Sequence, residues 1–410
     1  MSDMFDSYPN LDDILNYKYH KHKKIDKTTY MLHDLLVKAD KYVKKKKKGL
    51  CFNYTLTQID TVSKIPKPDM YDITFFPKNI QKYIDDTSEY ALKFNCMIKD
   101  RDITVHFIIT EKLDNEMIMT LSNYIYKIYM WIYVISSMSN AKCSKQLTIY
   151  LYLTPFEKFL PNNQLEILDS QHVNSAFTTG CRSSTEIVLF RSEEWFKVFI
   201  HETYHNFGLD FSDMNLYTVN KNISEIFNTN IEYNLYESYC ETWARIINTM
   251  FYTYLSIPIK DKEKQSLFIN KFNSNMEIES KHSLYQFSKI LNFLDLKYDN
   301  ITNKNAVNIN ICNHLYKENT SVFSYYVITG LLINNYKEFM SWCYNNNNIL
   351  VQFKKTPSNL DKYLELIKKS SNNKHIIRNI SSIERLFLTG IIDITPSMRM
   401  SILDTSRIRF

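Results

Sequence analysis

Glycine is the residue that most restricts this chain. Five glycines in 410 residues, against a usual share of ~7%, leave few positions for left-handed or closely approached backbone. No Walker A loop and no GxGxxG fingerprint occurs, which argues against a P-loop NTPase or an ordinary dinucleotide enzyme. Hydrophobic residues are 44% and charged residues 23%, so the chain can bury a real core and is no disordered tail. Its length suits two or three domains, or one large domain with extensions.

The net charge of +6 is mild. It permits nucleic-acid contact without arguing for it, so no nucleic-acid partner is expected. Cys51, Cys96, Cys143, Cys181, Cys240, Cys312 and Cys343 are scattered, odd in number and never form CxxC. That argues against a disulfide framework or a cysteine zinc cluster, and the cysteines read as small buried hydrophobes in a reducing compartment. The acidic start, MSDMFDSYPNLDD, lacks an apolar signal region, so a cytoplasmic, non-secreted protein is expected. Met117 to Met138 is apolar but carries Asn123 and Lys127, and reads as a buried helix with no membrane association.

Thr28 to Val43 has helical spacing, and the lysine run Lys44 to Lys48 reads as a solvated helix end or a basic patch. Ile103 to Thr110, Leu147 to Thr154 and Glu186 to Arg191 are β-branched runs that predict strands. Helical patterns cover Leu113 to Met138, Glu193 to Phe207 and Ile231 to Phe251. Further helices are predicted at Lys262 to Phe272, Leu284 to Leu294, Val322 to Met340 and Leu360 to Lys369, with a loop at Asn345 to Asn348.

The chemistry sits in His201-Glu202-Thr203-Tyr204-His205. Residues i and i+4 project from one helix face, so both imidazoles can bind one metal, and Glu202 can reach water beside it. Gly208 stands where a helix C-cap belongs. A later helix carries Glu237 and Glu241, again four apart, while Tyr236, Cys240, Trp243 and Ile247 form an apolar stripe. One carboxylate can bind metal and the other can hold a ligand histidine by its outer N–H.

These two segments resemble a zincin metallopeptidase of the gluzincin type. ESYCETWA is similar to the E-x-x-x-[DE]-x-[FW]-[AG] helix of thermolysin, the membrane CAAX-processing proteases and anthrax lethal factor. The match covers two short segments and the strand–helix order before them. It implies Zn2+ held by His201, His205 and Glu237, with Glu241 orienting a histidine, the reverse assignment of the two glutamates staying open. Glu202 would be the general base of a metal-activated water acting on a polypeptide substrate. The implied fold is α+β: a zincin-like catalytic domain at 96–258, a charged, partly helical N-terminal extension at 1–95, and a mostly helical domain at 259–410. The extension could serve as a propeptide. A bias to Lys, Asn, Ile and Tyr suits AT-rich coding DNA and a large-DNA-virus source.

The chain departs from metzincins, because Phe211 stands where their third histidine belongs. Asp210 and Asp213 are nearby and read as residues of the turn after Gly208 rather than ligands. An oxyanion donor is sought among Tyr233, Tyr236, His314, Tyr325 and Tyr326. Glu186 to Arg191 is the candidate substrate-holding edge strand, and Arg191, Glu193 and Glu194 could contact substrate or open a helix. His106 reads as a core histidine, His172 as a neighbour of the cleft, and His20, His22 and Lys23 as a charged face. Two other functions compete: a non-catalytic structural or virion-associated protein on a zincin scaffold, and a deformylase-like hydrolase with Cys181 as third ligand. Oligomeric state is not legible.

Overall fold

A computed structural model describes residues 26–47, 49, 51–73, 76–110, 113–392 and 394–405. His20, His22, Lys23 and Lys48 lie outside the described residues. The fold is mixed α+β, with one six-stranded sheet in the order β1-β2-β3-β4-β6-β5. The strands are β1 (Tyr54–Gln58), β2 (Tyr90–Ile98), β3 (Arg101–Ile109), β4 (Gln146–Thr154), β5 (Ala176–Thr178) and β6 (Ser184–Arg191). β3, β4 and β6 run parallel, while β1–β2, β2–β3 and β5–β6 are antiparallel. The sheet therefore begins inside the segment read as an extension.

Side chains alternate across a strand, and here the alternation sorts two cores. Ile187 and Leu189 face the main core with Ile149, Leu151 and the helix Asn115–Ser136. Val188 and Phe190 face the other side, where Tyr150, Tyr152 and the helix Lys78–Thr87 cover them through Ile80 and Ile84. The main core continues without a break from Leu32 to Met400.

The strong periodic segments fold as the patterns predict, within a few residues. Two readings change. The segments at 262–272 and 284–294 belong to one helix, Gln265–Phe293, because Met276, Glu279, Ser280, His282 and Ser283 in the stretch between them form a buried face. Glu279, within it, is fully buried and accepts from Arg245 Nε at 2.7 Å. The predicted helix at 322–340 is three pieces: a π-helix at Phe323–Ile328, then Thr329–Asn334, then Tyr336–Asn346. Among the described residues no helix is long and apolar enough to cross a membrane.

Cys143 and Cys181 form a disulfide, which corrects the reading of every cysteine as a free apolar filler. The five others are free thiols.

Candidate metal centre

The helix Trp195–Asn206 leaves β6 and buries all but one of its residues, His205 alone being partly exposed. Phe196, Phe199, Ile200 and Tyr204 drive it into the core, which leaves the histidine face pointing at the helix Leu235–Ser256. Gly208 ends it at φ 65°, with Leu209 N donating to Tyr204 O at 2.9 Å. A Cβ at Gly208 would lie 3.1 Å from Cys181 Cβ, so a larger residue would be strained in its backbone and tight against the disulfide.

His201 Nε2 lies 3.0 Å from Glu237 Oε2 and 3.2 Å from His205 Nε2. His205 Nε2 lies 3.4 Å from the same glutamate oxygen. Three ligands of a tetrahedral zinc with bonds of ~2.0–2.1 Å should stand about 3.3 Å apart, so the residues present fit that ion. The outer nitrogens strengthen the case. His201 Nδ1 meets Glu241 Oε2 at 3.0 Å, and His205 Nδ1 meets Asp210 Oδ2 at 2.6 Å. A carboxylate only accepts, so each neutral ring must put its proton on Nδ1. Both Nε2 lone pairs then face each other and a carboxylate oxygen, with no donor among them. Such a cluster calls for a cation.

Without metal that cation is a proton. Burial disfavours the His201 imidazolium, but hydrogen bonds to Glu237 and Glu241 override it and lift the pKa to about 9. Burial likewise opposes the Glu237 carboxylate, and the two histidines hold it far below the usual carboxylate range. Lys197 Nζ donates to Glu241 Oε1 at 2.8 Å. Burial works against its charge, yet Glu241 and Glu194 more than compensate. Glu202 is buried beside the site, and desolvation raises its pKa.

The structure thus brings together His201, Glu202, His205, Glu237 and Glu241, in the arrangement with Glu237 inside and Glu241 outside. It corrects the reading of Asp210 as a turn residue: Asp210 is buried and holds His205. Asp213 is exposed and pairs with Lys355. Of the oxyanion candidates, Tyr325 borders the cavity beside His201 and Glu202, with its ring 5.8 Å from that of His201. Tyr233 bonds Thr229, Tyr326 bonds Met398 O, His314 is exposed, and Tyr236 stacks edge-on to His205 outside the cavity. Tyr325 sits on the π-helix, an irregularity that recurs at functional sites.

Other assignments fail for topological reasons. Glu186–Arg191 is interior, and the sheet edge beside the cavity is β5. Arg191 is consumed by the carbonyls of Asn174, Glu157 and Gln171. Glu194 is turned into the core, where it bonds Lys158. Glu193 accepts from Lys158 N. Cys181, bound to Cys143, is removed as a metal ligand. His106 stacks on Tyr150 and His172 caps a short helix. Sequence reasoning missed Lys197, although it stands four residues before His201 and shares its face. Comparison with family models, with curated proteins and with solved structures finds no match.

Proposed function

We propose that the chain is a zinc-dependent metallopeptidase, with His201, His205 and Glu237 holding the ion. The observation that carries this reading is the donor-free trio of acceptors with a buried carboxylate, Glu202, at its side. Zinc bound there would supply Lewis acidity toward a carbonyl oxygen and a lowered pKa for a water in its open position.

The chain's own residues divide the remaining work. Glu202 takes a proton from water in the cavity and passes it to the departing amine. Burial keeps the Tyr325 phenol protonated far beyond its usual range, so its hydroxyl can donate to the oxygen that gains charge. Glu241 and Asp210 fix the two rings, and Lys197 keeps Glu241 ionised. β5 offers a strand edge for a peptide. Phe190 N donates to Ser175 O and Thr179 N to Glu186 O, so by antiparallel alternation Ala176 and Thr178 turn their N–H and C=O groups outward.

The test is hydrolysis of unfolded protein by zinc-loaded wild type beside Glu202→Gln. The expected result is turnover that a chelator removes and that the variant lowers by ~10²–10⁴-fold. Stoichiometric zinc with no Glu202-dependent turnover would instead support a structural metal site.

A further inference from the structure

Residues 396–405 form a strap whose Met400 lines the cavity beside His201 and Glu202. Leu160 N donates to Pro396 O and Met398 N to Lys158 O, each at 2.8 Å. Met400 N donates to Glu194 Oε2 at 3.1 Å, and Ser401 N donates to Glu194 Oε1. Ile402 N donates to Glu279 Oε2 at 3.2 Å. Lys127 Nζ, fully buried, holds Thr405 O at 2.9 Å. So anchored, the strap presents the Met400 side chain to the cavity beside Lys197.

The cavity holds about 60 Å³ and includes the space beside His201 and Glu202. An enclosed apolar cavity of ~150 Å³ admits a benzene ring, and the space here is less than half of that, which favours small side chains. Val173, Ala176, Val198 and Met400 give its apolar wall. Lys158 and Lys197 border it too, but their ammonium groups are spent on Glu194 at 2.5 Å and Glu241 at 2.8 Å. They contribute carbon stems rather than a receptor for acid.

The direction of a bound peptide follows from the fold. β5 starts beside the cavity at Ala176 and ends at Thr178, whose hydroxyl accepts from Asn206 Nδ2 at 3.0 Å, at the far end of the histidine helix. A peptide added antiparallel to β5 runs from the Asn206 end toward Lys197. Its residue after the scissile bond then enters the cavity that Met400 lines. Resting on the peptidase reading above, we infer that Met400 sets specificity, restricting that residue to small side chains such as Gly, Ala and Ser.

The experiment digests a proteome-derived peptide library with zinc-loaded wild type, Met400→Ala, Met400→Leu and Val173→Ala, mapping cleaved bonds by mass spectrometry. Wild type and Met400→Leu should cleave before small residues. Met400→Ala and Val173→Ala, which both widen the cavity, should raise cleavage before Leu or Phe relative to Ala on the order of tenfold. Two variants guard against one that fails to fold. A wild type that cleaves before Phe as readily as before Ala overturns the inference alone. So does a folded, active Met400→Ala with unchanged preference, or selection confined to the residue before the bond. Absence of any Glu202-dependent cleavage in wild type overturns the peptidase reading, and the inference with it.

Discussion

Buried carboxylates occur both under the strap and at the histidine cluster, and they are satisfied in opposite ways. Glu194 receives the Lys158 ammonium and two strap amides. Glu279 receives the Arg245 guanidinium, Ser401 Oγ and Ile402 N. Every lone pair that matters meets a donor, and the charge is closed by protein. Glu237 instead faces two imidazole nitrogens that carry no proton when the rings are neutral. One region is complete as folded; the other is complete only with a cation. Burying a charge without partners costs several kcal/mol, so an open cluster of this kind persists where something outside the chain closes it.

A fourth carboxylate shows what neutral donors alone achieve. Glu318 accepts from Tyr316 OH at 2.7 Å and Phe323 N at 2.8 Å. Burial dominates, and its pKa rises to about 8. It keeps a proton near neutrality, which neither Glu194 nor Glu237 does.

Four substitutions sharpen the contrast, in falling order of effect. Glu194→Ala should cost about 3–5 kcal/mol in urea unfolding, because it strands Lys158 and two strap amides. A cost below ~1 kcal/mol would mean the strap is not held by this carboxylate. Glu318 should make stability depend on pH. Its folded pKa lies above the ordinary glutamate value of 4.5, so the unfolded chain releases the proton first, and stability falls as pH rises from 4.5 through 8. The loss should be on the order of a few kcal/mol, and Glu318→Gln should flatten the slope. A wild-type profile identical to that of the variant would contradict the assignment. Asp210→Asn and Glu241→Gln should each weaken zinc binding ~10–100-fold in chelator competition while leaving its stoichiometry intact. Unchanged affinity in both would show that the outer carboxylates do not tune the histidines.

The parts legible in the sequence were those governed by spacing along one helix. His201 with His205, and Glu237 with Glu241, follow from i and i+4 geometry, and Gly208 marked the helix end. Asp210 escaped because its role depends on the chain doubling back after Gly208, which no periodicity encodes. β2 alternates Leu92 and Phe94 with Lys93 and Asn95, a period-two strand signal that the charge-rich segment before it masks. β5 is three residues long, so hydrophobic patterning points to its neighbour β6 as the sheet edge. The strap carries no local signal at all. Its partners, Glu194, Glu279 and Lys127, lie more than a hundred residues away, and only the tertiary fold collects them.

The most direct test of the account is metal content, measured by mass spectrometry on purified wild type beside His205→Ala and Glu237→Ala. The account predicts close to one zinc per chain in wild type and none retained in either variant, both still folded by circular dichroism. Wild type that takes up no zinc after reconstitution would contradict it, and so would variants that keep the full complement.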